Sequence, residues 1–509
     1  MGTYLLAHDL GTSGNKATLY DLKGNLKASV LYQYKTYYPH AGWAEQNPED
    51  WWEAVCKSTK DLVQRAGIQK SEIASVSFSA QMMGCLLVDK NGKALRTMII
   101  WADNRSTKQE AKMVDKIGLE KGYRITGHRL SASYSAAKLM WIRENQPEIY
   151  QKAYKMLNAK DYIIHRLTGV FVTDYSDASG TNLFDIKTKK WSDEILHALD
   201  IRADLLPELH ASTEIAGKVS PRAAADCGLQ TGTPVVLGGG DGSCACVGAG
   251  IVEEGKTYNV LGTSSWISMA TKQPIYDPQM RTFNWVHLDP NLYTPCGTMQ
   301  AAGSSLSWFK QTLCQEETIV AKAQGISPYQ LIDDKITQSS PGAKGLLYLP
   351  YLLGERSPRW NFNARGAFIG LQMRTEKEDI ARAVLEGVGY NLKVILDIFN
   401  NFHFINEVVL IGGGAKSKVW QQILADIWQK PLLITEYIDE ATSMGAAVCG
   451  GIGIGAFSDF KVVNQFNPVV KTVVPRPEYQ ERYEKLYRAF NQAYESLIYT
   501  YEVLANLNL

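Results

Sequence analysis

Apolar positions along this chain fall into short runs and longer stripes that alternate. Residues 4–7, 17–21 and 28–33 are apolar runs broken by polar turns at 9–16 and 23–25, which predicts two successive hairpins. A helical stripe follows over 48–67, with Asn47 as its cap, Pro48 in first position, and Glu49 and Asp50 in the first turn. Residues 73–79 predict a strand, and 85–88 and 96–101 two strands about a turn at 89–92. Residues 138–142 and 160–167 read as helical, the latter ending at Gly169. Mid-chain, 235–237 reads as a buried strand, followed by Gly238, Gly239, Gly240, Asp241 and small residues as far as Gly250. The second half resumes the alternation: a strand at 266–270, a helix at 302–313, a strand at 346–349 and a loop at 353–358. A helix over 376–400 is headed by a Thr375/Glu378 capping box and shows Ile380, Val384, Val388, Leu392 and Ile395 on one face. After a strand at 408–411, the last stripe carries Tyr479, Tyr483, Leu486, Phe490, Tyr494 and Leu497, a pattern for core packing.

Composition narrows the class. A chain of 509 residues is too long for one ordinary domain, so two large α/β domains are expected. Hydrophobic residues at 45% and charged residues at 21% suit a globular protein with a full core. A net charge of +1 without a basic block argues against nucleic acid as partner. The first eleven residues lack signal-peptide character and no apolar run matches a bilayer, so a cytoplasmic location and no membrane partner are expected. The eight cysteines include no C-x-x-C pair, which argues against structural zinc and fits reduced thiols.

Two features carry candidate chemistry. The turn holding Gly11, Thr12 and Ser13 between two strands presents backbone N–H groups and hydroxyls suited to phosphate. It is no Walker loop, because no G-K-[ST] opens a helix, and no dinucleotide fingerprint, because it leads into a strand. It is echoed after the midpoint, where Leu261, Gly262, Thr263 and Ser264 repeat Leu10, Gly11, Thr12 and Ser13. Two such hairpins suggest a duplicated α/β domain with nucleotide between the copies. The second feature is Asp241, placed after a buried strand among small residues. It serves either as general base toward a hydroxyl or as a turn aspartate bonding its own backbone.

Longer motifs carry a resemblance. SYSAAKLMWIREN at 133–145 and GAFIGLQMRTEKEDIARAVLE at 366–386 fit, in order, the two signatures of the FGGY carbohydrate kinases. WAEQNPEDWW, KDYIIHRLTG, TDYSDASGT, LPYLLGERSP and ARAVLEGVGYNL are similar to that family's xylulokinase branch, and the similarity runs nearly end to end. The resemblance implies an α/β fold of two ribonuclease-H-like (actin/hexokinase-like ATPase) domains, with ATP and sugar in the cleft between them. The division expected is 1–232 for the sugar-side domain, 233–455 for the nucleotide-side domain, and 456–509 for a helical tail packing back on the body. It implies transfer of the γ-phosphoryl group of MgATP to a sugar hydroxyl, by relatives that are commonly homodimers.

Roles carry over position by position. Asp241 matches the catalytic base, and Asp9 the aspartate that positions Mg²⁺ and phosphate, both reaching the ion through water. Gly11, Thr12, Ser13 and Lys16 fall in the first phosphate turn; Gly262, Thr263 and Ser264 form the second. Gly413, Gly414 and Ser417 lie on the adenosine side, while Met82, Met83, Asp103 and Asp241 lie on the sugar side. For Asp103 and Arg105, the residues alone leave a surface ion pair as the alternative. Three positions depart from the xylulokinase pattern: Met83 replaces the histidine of Q-M-H-G, Gly242 the asparagine after the catalytic aspartate, and Ala102 the asparagine of W-N-D. All three are sugar-side, so phosphoryl transfer is the firmer expectation. The leading acceptor is a pentulose, D-xylulose giving D-xylulose 5-phosphate. Gluconate or another ketose or polyol is the alternative, and an actin-like ATPase without sugar kinase activity the remote one.

Overall fold

The computed structural model describes residues 2–507. Two seven-stranded sheets organise it, and each repeats one plan. In the first lobe, Tyr4–Leu10, Gly14–Asp21 and Leu26–Gln33 run antiparallel, while Ile73–Ala80 lies parallel beside Tyr4–Leu10 and Pro234–Val236 parallel beside Ile73–Ala80. In the second lobe, Thr257–Leu261, Ser265–Met269 and Tyr293–Met299 run antiparallel. Val408–Ile411 and Leu432–Thr435 then continue in parallel from Thr257–Leu261. An antiparallel three-strand ribbon extended by two parallel strands is the ribonuclease-H-like plan, present here twice.

Local chemistry accounts for the elements. The Pro48–Ala66 helix begins where the Asn47 side chain accepts from the Glu49 amide and stops at Gly67, whose φ of 64° ends the helix. The long helix is Lys377–Asn400, and its capping box is Glu376/Asp379 rather than Thr375/Glu378. Thr375 instead takes the Gln372 amide on its hydroxyl, one turn outside the helix. The strand expected over 96–101 contracts to Met98–Ile99, paired with Glu45–Gln46, because the chain turns toward Arg105 straight afterwards.

The lobe boundary differs from the expected one. Pro234–Val236 and Gly239–Gly240 both pair with Ile73–Ala80, so the first lobe runs past residue 232 to the strand end that carries Asp241. The tail packs back on the second lobe and also adds a strand to its sheet. Val469–Val473 pairs with Leu432–Thr435 in the second sheet, and the Gln480–Asn506 helix packs Tyr483, Phe490, Tyr494 and Tyr501 into the second-lobe core. The helix that crosses between lobes is Ala441–Gly453. Its Met444, Ala446, Ala447 and Val448 share a cluster with Leu5, Ala7, Tyr20 and Val236 of the first lobe. No helix among the described residues is long and apolar enough to cross a membrane. The eight cysteines are all free and buried.

Candidate active site

Register brings the two acids together. Asp9 pairs with Ser79 on the neighbouring parallel strand, and Ser79 pairs with Gly239 on the next, so Asp9 and Asp241 leave the same end of one sheet. Gly238 makes the turn possible: its φ is 68°, and a Cβ there would sit 1.9 Å from the Phe78 carbonyl oxygen. Gly239 and Gly240 allow close approach, since added Cβ atoms would lie 2.5 Å from Ser176 Oγ and 2.3 Å from Met82 Sδ. The strand end is anchored from behind. Gly240 N donates to Ser176 Oγ (2.9 Å), which donates to Asp174 Oδ2, and Lys160 Nζ stands 3.2 Å from Asp174 Oδ1. Asp241 then opens a short helix, Asp241–Gly248, where the sequence had indicated only small residues.

Electrostatics suit Asp241 to proton transfer. Burial, reinforced by the negative charge of Asp9, pushes its carboxyl up to about 7. Burial also raises Asp9, opposed by a hydrogen bond from Ser79 Oγ to Oδ1 (2.9 Å) and by the charge of Lys16. Asp241 does accept from its own neighbour, Gly242 N at 2.8 Å, so the turn-type bond is real; the raised pKa shows that this bond does not dominate.

The two hairpin turns occupy matching places. Gly11 N donates to Gly14 O (3.0 Å), and Gly262 N to Ser264 O (3.0 Å). Thr12 is held by Trp101 Nε1 on its hydroxyl (2.9 Å) and by Gln46 Nε2 on its carbonyl (2.6 Å), while the Ser13 side chain is exposed. The Gly303–Leu313 helix starts on the second turn: Gly303 N donates to Gly262 O (2.9 Å) and Ser304 N to Thr263 O (3.0 Å). Beyond it, Gly412 N bonds Ile438 O (2.9 Å), Gly414 packs on Leu261, and Gly413 faces open space. Ser417 caps the Lys418–Trp428 helix, its Oγ accepting from Trp420 N (3.1 Å). Lys16 does not reach the turn it follows. Its Nζ donates to Asp439 O of the second lobe (2.8 Å) and lies 3.8 Å from Glu440.

Met82, Met83 and Trp101 line a cleft together with Asp241, Gly242, Ser264 and Trp266. Met83 sits at a φ of 65°, strained for a side chain with a Cβ. Buried Lys138, from the first signature, fixes it by donating to Met83 O (2.7 Å) and to Ser133 O. Asp103 lies outside this lining, and neither it nor Arg105 is a surface residue. Its carboxylate takes a paired hydrogen bond from Arg105 (2.7 and 2.9 Å) and the Ala44 amide (2.6 Å), with both side chains buried. The cleft also takes Phe283, Trp285, Cys296 and Gln300 from the second lobe and Arg356 from its long loop. Residue patterns gave no warning of the first four: Phe283, Trp285 and Cys296 sit on ordinary-looking strands, and Gln300 lies just past the end of one. Arg356 falls in the LGERSP loop, noted only as a loop. A Cβ added at Gly242 would meet nothing within 4 Å, so the missing side chain there enlarges the cleft beside the base.

A duplicated ribonuclease-H-like fold with paired hairpin turns and an acid pair at the lobe junction defines the actin/hexokinase-like ATPase class. Residues 4–248 match the N-terminal domain, and residues 257–454 the C-terminal domain, of the FGGY family of carbohydrate kinases. The chain belongs to that family. It is 34% identical over 493 residues to a xylulose kinase of Bacillus subtilis, covering 96% of each chain. Among solved structures, a gluconate kinase from Lactobacillus acidophilus superposes with a TM-score of 0.91 at 28% identity, covering 98% of this chain and 99% of that one. A ligand-bound xylulose kinase from the same organism gives 0.90 at 29% identity with the same coverage. The protein is an ATP-using sugar kinase, an enzyme that transfers a phosphoryl group to an alcohol.

Proposed function

We propose that this kinase phosphorylates a pentulose, D-xylulose to D-xylulose 5-phosphate, with Asp241 as general base. The observation that carries the reading is the position of Asp241: it lines an aromatic cleft together with Ser264 of the second hairpin, and burial holds its carboxyl near 7. The Asp241 carboxylate takes the proton of the acceptor hydroxyl as that oxygen attacks phosphorus. The two hairpin turns hold the phosphate chain from opposite lobes, and the 412–417 segment lies on the adenosine side. Trp101, Trp266 and Trp285 exclude water from the acceptor, which limits idle hydrolysis. The acid pair fits Mg²⁺: two carboxylates raised by burial, Asp241 further by the charge of Asp9, favour a cation beside them, and Asp9 and Asp241 would hold it with water and phosphate oxygens. When bound, the ion supplies neutralisation of phosphate charge. Buried free thiols suit a reducing cytoplasm.

A second reading, an aldonate such as gluconate, is favoured by Arg356 in the cleft wall. The test is ADP release from MgATP across D-xylulose, L-xylulose, D- and L-ribulose, gluconate, glycerol and erythritol. Highest kcat/KM on D-xylulose supports the first reading and highest on gluconate the second. No stimulation by any of them removes both.

A further inference from the structure

Among the described residues, Arg356 is the cation that lines the acceptor cleft, and it has no ion-pair partner there. Arg356 is 7% exposed and lines the same cleft as Asp241. Buried guanidinium groups are ordinarily paired with carboxylates. Arg356 makes no ion pair among the described residues, and its Nε is buried without a hydrogen-bond partner. The carboxylate next to it in sequence is engaged elsewhere. Glu355 Oε1 accepts from the backbone amides of Gln300 and Arg356 (3.0 Å each), and Oε2 from Asn391 Nδ2 (3.2 Å). Burial pushes Glu355 up to about 8, against its backbone and Asn391 hydrogen bonds and the charge of Arg356. Around the guanidinium stand Tyr134 and, 5.9 Å away, the Trp360 ring. Arg356, Asp241 and Cys296 line the same cleft, and the Cys296 thiol feels the charge of both Arg356 and Asp241. Met82, Met83 and Trp285, which also line it, offer no charge.

We propose that Arg356 is a specificity-determining residue that grips the sp² oxygen end of an open-chain acceptor. That end is the ketone of a pentulose or the carboxylate of an aldonate. Anchoring it delivers the opposite, terminal hydroxyl to Asp241. The guanidinium fork suits carbonyl and carboxylate oxygens, and a charge-assisted bond in a dry cleft is stronger than one between neutral groups. The inference rests on the sugar-kinase reading above and adds to it the group that anchors the acceptor and the polarity of its binding.

The test uses the full-length enzyme, Arg356→Gln and Arg356→Lys, with D-xylulose, gluconate and xylitol as acceptors. Xylitol has the hydroxyls but no sp² oxygen. Arg356→Gln is expected to raise KM for the preferred acceptor on the order of tenfold to a hundredfold. KM for ATP stays within about twofold, and the weaker use of xylitol is unaltered. Arg356→Lys, which keeps the charge but not the fork, recovers part of the loss. Product NMR places the phosphate on the terminal carbon farthest from the sp² oxygen. A larger effect on gluconate than on D-xylulose identifies the carboxylate as the anchor, and the reverse the ketone. An equal loss on xylitol, an unchanged acceptor KM, or phosphate beside the carbonyl overturns the proposal. If Arg356→Gln does not fold, Arg356→Lys decides: a severalfold rise in acceptor KM supports the proposal and no rise overturns it. A wild-type enzyme inert toward all three acceptors overturns the sugar reading itself. A wild-type enzyme active on them, with variants that do not discriminate, overturns this inference alone.

Discussion

With Asp241 as the proposed base, its carboxyl sets the expected pH response of the enzyme. A base accepts a proton only when its carboxyl is ionised, and burial beside Asp9 holds this one near 7. The acid limb of kcat/KM is therefore expected to rise through about pH 7 and level off above it, measured as initial rate against pH. Asp241→Asn is expected to lower kcat by ~10²- to 10⁴-fold and to flatten that limb. The same shift predicts a stability effect of definite sign. An unfolded aspartate titrates near ~3.9, so between about pH 4 and 7 the folded chain holds a proton that the unfolded chain has released. Stability from this group is present below that window and is lost as pH rises through it. Asp241→Asn removes the cost of ionisation. At pH 8 the inactive variant is expected to be more stable by roughly 1–2 kcal/mol, with the gain gone at pH 4. Thermal melts at the two pH values check this. The candidate aspartates and hairpin residues were legible because strand, turn and acid are local patterns. The Asp103–Arg105 pair was legible as an alternative, but its burial was not, because the Ala44 amide that completes it is 59 residues away.

At the scale of elements, two helices of small residues position the base. Asp241–Gly248 and Ala441–Gly453 touch backbone to backbone. A Cβ at Gly248 would fall 1.6 Å from Ala441 O, and one at Gly445 2.0 Å from Cys244 O. The contact is held from the second sheet as well, where Tyr258 OH donates to Gly242 O (2.8 Å) and takes Trp266 Nε1 (3.1 Å). Gly445→Ala must push the helices apart, because its clash is with backbone that has no rotamer to change. The expected outcome is a loss of ~1–3 kcal/mol in urea unfolding, with kcat falling more than KM rises as Asp241 is displaced. Neither helix announces itself in sequence. Glycine, alanine and cysteine give no apolar stripe to count, so the period-based reading saw only close packing. The Lys377–Asn400 helix, by contrast, was legible from its buried face.

For the whole molecule, the lobes meet through the crossing helix and through Lys16. That lysine belongs to the first hairpin but bonds Asp439 O across the cleft, beside the loop that carries Gly413 and the Lys416–Asp439 ion pair. Its side chain is part-exposed, so the link is worth little to overall stability. Lys16→Ala is expected to change stability by less than about 1 kcal/mol while raising KM for ATP severalfold, since the first hairpin and the adenosine side lose their tie. Equilibrium denaturation and ATP titration of initial rates separate the two effects. A drop in stability without any change in KM would return Lys16 to a purely structural role.

The sequence by itself determined the hairpins, the Asn47 cap, the repeated Leu-Gly-Thr-Ser turn and the family, and it singled out Asp241 as the candidate base. Each of these is written in a few neighbouring residues whose backbone chemistry is local. Tertiary structure alone decided where the first lobe ends, which helix crosses between lobes, and that Lys16 serves the opposite lobe. It also decided that Phe283, Trp285, Cys296 and Arg356 meet Asp241 in one cleft. Those facts depend on strand pairing and backbone approach between residues tens to hundreds of positions apart. Pairing partners and close contacts of that kind leave no periodic mark on either segment.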